Sequence, residues 1–240
     1  MNKNEQTLKS IFVKAAENYK KKDFKSAEIF CYKILSIDPN HFNSISMLAN
    51  ISAINRNFNN AKKLLQKAIK IDPKNMTAIH NLATAYKELG KLDDAINYYK
   101  KVLEIDPKHT NANFNLGLVF YKLKELKTSK SYLKKAVEIQ SNYAIAFYSL
   151  GNVHTDLKEF EDAISCYHKA IEIKPNLVGA HNNLGLVFRG LNDFENAINC
   201  YQKAIEIQPD HARAHHNLAQ AYKELGKFEK AIKSYQILIQ

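Results

Sequence analysis

Few residues in this chain have the types and spacing that chemistry needs. His211, His215 and His216 include the i, i+4 pair with which one helix face can grip a metal ion. They sit at a turn and at the start of a helix, with Asp210 in the turn as their one acidic neighbour, and His215 repeats the place of His181 one sequence period earlier, so no metal is expected. His154 stands where an aromatic core residue recurs and is expected to be a satisfied packing residue. Cys31, Cys166 and Cys200 are far apart and form no C-x-x-C, as in proteins of a reducing compartment. Cys166 and Cys200 are equivalent by period, and neighbouring equivalent helices stand about 8–10 Å apart or more, too far for a relaxed disulfide. There is no serine–histidine–acid set, no phosphate loop and no pair of carboxylates on a pocket. Catalysis and a cofactor are therefore not expected. The chemistry that remains is hydrogen bonding by asparagine, whose amide offers two donors and an acceptor.

The elements that would position those amides follow from a period. Pro39, Pro73, Pro107, Pro175 and Pro209 lie 34, 34, 68 and 34 residues apart, and Ser141 holds the missing mark. Cutting the chain on this ruler gives residues 1–7 as an N-terminal extension, then units 8–41, 42–75, 76–109, 110–143, 144–177, 178–211 and a partial 212–240. Column seven is Leu48, Leu82, Leu116, Leu150, Leu184 and Leu218. Column eight is small throughout: Ala15, Ala49, Ala83, Gly117, Gly151, Gly185 and Ala219. Column twenty is alanine except at Ser129, and column thirty is isoleucine from Ile37 to Ile207.

Within a unit the spacing is helical. Ile79, Leu82, Ala83 and Tyr86 mark one apolar stripe, and Ala95, Tyr99, Val102 and Leu103 a second. Gly90 between them is free to take the positive φ of a turn. Pro107 follows the second helix and disfavours helical geometry at Asp106. Each unit is thus an antiparallel helix pair, with helices roughly 20 Å long at 1.5 Å per residue. The small columns suit close helix approach, and a leucine at Gly151 is expected to overpack by about 1–3 kcal/mol.

The period, the leucine, small and aromatic columns and the closing proline resemble the tetratricopeptide repeat over residues 8–240. The resemblance implies an all-α fold, a right-handed superhelix (solenoid) of about seven helix-turn-helix units. The first unit departs from the pattern, with Lys14 and Asn18 where leucine and tyrosine are expected. A helix shifted by one residue, or a polar terminal face, would account for it. Unit four departs at Ser129 and Ser141.

By the same resemblance the first helix of each pair lines a concave groove through columns two, five, six, nine and twelve. Column six carries Asn81, Asn115, Asn183 and Asn217 and is similar to the asparagine ladder of O-linked N-acetylglucosamine transferases. Such a row can clamp the backbone of an extended peptide, or it can bridge neighbouring hairpins. Phe114, Tyr121 and Tyr148 are expected in the groove as anchors, with core packing as the alternative. Asn152, Arg189, Arg213 and Lys223 make its C-terminal half polar and positive. Asn152, Asn183 and Arg213 match part of the two-carboxylate clamp of chaperone-binding repeat proteins, but Tyr148 replaces its lysine, so that clamp is not expected.

The net charge is +11, which invites a nucleic-acid reading. Of 35 basic residues, however, only Arg56, Arg189 and Arg213 are arginine, the residue suited to bidentate phosphate contacts. Nucleic acid is therefore not the expected partner, and Lys20-Lys21-Lys22 is read as solvated. No apolar run approaches the roughly 20 residues of a membrane span. The opening residues Met-Asn-Lys-Asn-Glu-Gln lack a signal's apolar stretch. A cytoplasmic protein is expected. At the other end Ile237-Leu238-Ile239 has no following repeat to cover it. That predicts either a longer protein, the favoured reading, or self-association through the uncapped C-terminal helix. The expected function is a scaffold, not an enzyme, that binds a protein or extended peptide. The alternative is the substrate-recognition arm of a glycosyltransferase or sulfotransferase cut at residue 240.

Overall fold

The computed structural model describes residues 3–236, so the Ile237-Leu238-Ile239 end lies outside the described residues. All regular structure among these residues is helical, and the chain divides into two compact units, residues 1–115 and 116–240. The first holds α1 (Lys3–Lys20), α2 (Phe24–Leu35), α3 (Phe42–Ile54), α4 (Phe58–Ile71), α5 (Met76–Glu88), α6 (Leu92–Ile105) and the start of α7 (Thr110–Lys122). The second holds the rest of α7, then α8 (Leu126–Ile139), α9 (Ala144–Asp156), α10 (Phe160–Ile173), α11 (Val178–Gly190), α12 (Phe194–Ile207), α13 (Ala212–Glu224) and α14 (Phe228–Gln236). From Lys3 the N-terminal extension is helical, continuous with α1. In each unit successive helices pack as antiparallel hairpins, and in the second unit α9 touches α11 and α11 touches α13. The first helices of the hairpins there form one wall.

The hairpins all turn in the same way. Column fifteen takes a left-handed conformation in every repeat: Gly90 and Gly226 at φ 73° and 69°, and Lys22, Arg56, Lys124, Lys158 and Asn192 at φ 56–63°. The residue after it donates its N–H five residues back, as from Lys91 to the Tyr86 carbonyl at 2.9 Å and from Glu159 to His154 at 2.9 Å. This is the Schellman closure of a helix C-terminus. Asp23, Asn57 and Asp193 then cap the next helix through a side-chain oxygen. Lys91, Glu125 and Glu159 make no such capping bond.

The small column eight faces the large column twenty-four within each hairpin. A Cβ added to Gly117 would stand 2.5 Å from Leu133 Cγ; at Gly151 and Gly185 it would meet the rings of Tyr167 and Tyr201 at 2.7 and 2.5 Å. The glycines make room for a side chain buried to within 1 % of full burial. In the first hairpin Ala15 keeps this column, fully buried with Cys31, while Lys14 is exposed. Its altered pattern is a more polar outer face.

In the second unit hairpins join each other through columns twenty-one and eleven. Ile164 and Phe188 pack against one apolar cluster, and Ile198 and Tyr222 belong to another. One joint of this unit is built differently. Lys130 stands for the isoleucine and His154 for the aromatic, and both bind Glu159. Lys130 Nζ is 2.7 Å from Oε1, and His154 Nδ1 is 2.6 Å from Oε2. His154 is thus a mostly buried packing residue whose imidazole is satisfied by a carboxylate.

Candidate functional site

In the first unit the asparagine column is tied to its neighbours. Asn81 Nδ2 donates to Asn50 Oδ1 at 3.1 Å. Asn115 Nδ2 donates to the Asn111 carbonyl at 2.9 Å, and Lys87 Nζ donates to Asn115 Oδ1 at 2.9 Å. His80 lies between them, 3.4 Å from Asn81 and 3.5 Å from Asn115, and burial holds its imidazole below its usual pKa. An open cavity of about 260 Å³ is lined by Tyr19, Asn50, Asn81 and Thr84 among others. Phe114 is only 9 % exposed, so its ring is packed rather than presented to a groove. A phenyl ring gains more from leaving water than from facing it.

The second unit repeats the scheme with other partners. Asn183 Nδ2 donates to Asn152 Oδ1 at 2.8 Å and to the Tyr148 hydroxyl at 3.2 Å. Asn182 donates to Asn183 Oδ1 at 3.1 Å, and Asn217 Nδ2 donates to Asn182 Oδ1 at 2.9 Å. Tyr167, buried below, donates to Asn152 Oδ1 at 2.8 Å. The bridging role is therefore realised, and the amides remain partly exposed on the first-helix face.

Two cavities open on that face and share Asn183 and Leu186 as a wall. One, of about 210 Å³, is lined by Tyr121, Asn152, Thr155, Asp156 and Tyr167 as well. Burial first, then the hydrogen bond and charge of Asp156, push the Tyr121 hydroxyl up to about 12. The Tyr148 ring lies 6.1 Å from that of Tyr167, a residue of this lining. The other cavity, of about 580 Å³, is lined by Asn182, Arg213, His216 and Asn217. Arg213 is exposed there. Arg189 is half-buried and donates to Gln220 Oε1; with Lys223 it lines a further cavity of about 370 Å³.

The histidines are used by the backbone. His211 Nδ1 accepts from the Ala214 N–H at 3.1 Å as a helix cap, as His41 and His109 do in theirs. His215 Nε2 lies 2.8 Å from the Pro209 carbonyl, as His181 lies 2.9 Å from that of Pro175. His154, Glu159 and Asp162 bring possible ligand atoms within 4.8 Å of one another. Lys130 already binds both oxygens of Glu159, at 2.7 and 2.9 Å, so the cluster is an ion pair joint. The sequence did not single out Asn50, His80, Asn182, Asp156 or Gln220. Asn50, His80, Asn182 and Gln220 stand in columns five and nine, which were expected to face the groove, whereas Asp156 stands in column thirteen, outside those columns.

Paired antiparallel helices on a fixed period, stacked so that first helices share a face, define a helical-hairpin repeat protein. Family models agree. Models described as tetratricopeptide repeat match residues 110–143, 144–177 and 214–240, and one described as TPR repeat matches 83–124 and 187–226. The chain belongs to the tetratricopeptide repeat family. A model of subunit 3 of the anaphase-promoting complex, or cyclosome, also matches residues 20–102. No curated protein matches the chain. Among solved structures, MamA is 29 % identical over 68 % of this chain and 88 % of its own, with TM-score 0.64. YrrB, described as a TPR protein with an unusual peptide-binding site, is 25 % identical over 78 % of this chain and 96 % of its own, with TM-score 0.64. PilF of Pseudomonas aeruginosa shares the fold at 20 % identity and TM-score 0.71, over 80 % of this chain and 88 % of its own. No helix among the described residues is long and apolar enough to cross a membrane.

Proposed function

We propose that this chain is a protein-interaction scaffold that holds an extended segment of a partner along the first-helix face, without chemistry of its own. The observation that carries this reading is the pair of adjoining cavities in the second unit, walled by Asn183 and Leu186 and edged by partly exposed amides. Side-chain amides recognise peptide backbone whatever its sequence, and the cavities take side chains at intervals. The likeness to YrrB, described as having a peptide-binding site, points the same way.

The test is to pan a random-peptide phage library against the chain and measure the selected peptides by fluorescence anisotropy. Substituting Asn115, Asn183 and Asn217 together by alanine should weaken them at least tenfold while circular dichroism still reports a folded helical protein. Undiminished affinity in that variant would count against the groove. Because these amides also bridge hairpins, Arg213→Ala supplies a second variant. It alters an exposed side chain, and the peptides should lose affinity there too.

A further inference from the structure

The cavity beside Tyr121 combines an aromatic ring, a carboxylate and an apolar wall. We infer that it seats a basic side chain, a lysine or arginine, of the extended segment proposed above; the inference rests on that groove reading. At about 210 Å³ the cavity is smaller than the roughly 300–1,000 Å³ typical of small-molecule pockets, and suits a single long side chain. The Tyr121 ring already attracts an ammonium: Lys124 Nζ lies 5.5 Å from its centroid. Cations over an aromatic face within about 6 Å are attracted by the ring quadrupole. Asp156 is exposed at the rim and forms no ion pair with any described residue, although the chain carries 35 lysines and arginines. Leu186 offers the apolar surface along which the methylene stem of a lysine or arginine packs.

The setting sharpens the claim. A chain of net charge +11 attracts acidic peptides without regard to sequence, so a preference for a basic residue has to come from a local site. The neighbouring cavity presents Arg213, the opposite charge. Packed helices stand about 8–10 Å apart, and an extended chain advances about 3.3 Å per residue. A ligand that fills both cavities would therefore place an acidic residue about three positions from the basic one, which fixes its direction.

The phage library is panned against the parent chain and against Asp156→Asn, with circular dichroism as the check on folding. Peptides selected by the parent should share a lysine or arginine at one position. Replacing that residue in the peptide by norleucine should weaken binding to the unaltered chain about tenfold. Both Asp156→Asn and Tyr121→Leu should abolish the preference. Selected peptides with no shared basic position, equal binding of the norleucine peptide, or a preference that survives Asp156→Asn would overturn this inference and leave the groove standing. Enrichment of no peptide at all would overturn both.

Discussion

Three equivalent tyrosines lie buried at column twenty-four, and their hydroxyls fare differently. Tyr99 pairs with Thr84 at 2.9 Å, and Tyr167 with Asn152 at 2.8 Å and Thr155 at 3.1 Å. The Tyr201 hydroxyl has no hydrogen-bond partner among the described residues, because Leu186 fills the column that holds Thr84 and Asn152 in the units of Tyr99 and Tyr167. An unpaired buried polar atom costs about 1–3 kcal/mol, whereas a satisfied one contributes about 1 kcal/mol. Tyr201→Phe should therefore leave stability unchanged or raise it, while Tyr167→Phe should lower it by about 1 kcal/mol, as urea denaturation of the two variants will show. Leucine at Gly185 would drive into the Tyr201 ring and should cost on the order of 1–3 kcal/mol in the same assay. At this scale the sequence was informative about type and not about partner. Columns marked Gly151 and Asn183 as special. That Gly151 yields to Tyr167 depends on how the two helices of one hairpin cross, and that Asn183 donates to Asn152 across 31 residues depends on how one hairpin leans on the next.

Helices and their boundaries were the most legible layer, since alternating apolar stripes, one turn column and one proline column punctuate every hairpin. The turn itself was only half legible. Gly90 announced a positive φ, yet five of seven turns place lysine, arginine or asparagine there. Left-handed backbone costs a residue with a Cβ roughly 1–2 kcal/mol, partly offset by the entropy that glycine loses on folding. Lys158→Gly should then stabilise by about 0.5–1 kcal/mol, measured by thermal unfolding. The joint of Lys130, Glu159 and His154 was not foreseen at all, because its three members look unremarkable until column twenty-one is set against column eleven of the next unit. Replacing Lys130 by isoleucine and His154 by phenylalanine together would give the apolar joint found at the two later joints of the second unit. The double variant should be at least as stable as the parent, and the coupling in a double-mutant cycle should be about 0.5 kcal/mol or more. Lys130 first, and His154 next, hold the Glu159 carboxyl below its ordinary 4.5. Its contribution is present above about pH 4.5 and fades as acid titrates the folded form, so Glu159→Gln should flatten the acid limb of the stability profile.

Across the whole chain, repetition means that stability is approximately a sum over hairpins and their joints. Removing one 34-residue unit should be tolerated when the new neighbours match. Deleting 178–211 sets Ile164 against Tyr222, a pairing of the kind already present. Deleting 144–177 sets Lys130 against Phe188 and leaves the ammonium without Glu159. Both products should be helical by circular dichroism, and the second should melt at the lower temperature. The family and the repeat count were legible at this level, whereas the division into units 1–115 and 116–240 had no counterpart in the periodic pattern.

The native thiols belong to this scale as well. Burial pushes Cys31, Cys166 and Cys200 each up to about 11. At neutral pH roughly one in ten thousand is then thiolate, the form that attacks electrophiles. Iodoacetamide will therefore react slowly with the folded chain. Cys31 is fully buried and can be alkylated only as the first unit opens, while the half-buried Cys166 and Cys200 react slowly from the folded state. A mass spectrometer following the Cys31 adduct against the other two thus reads the breathing of the first unit.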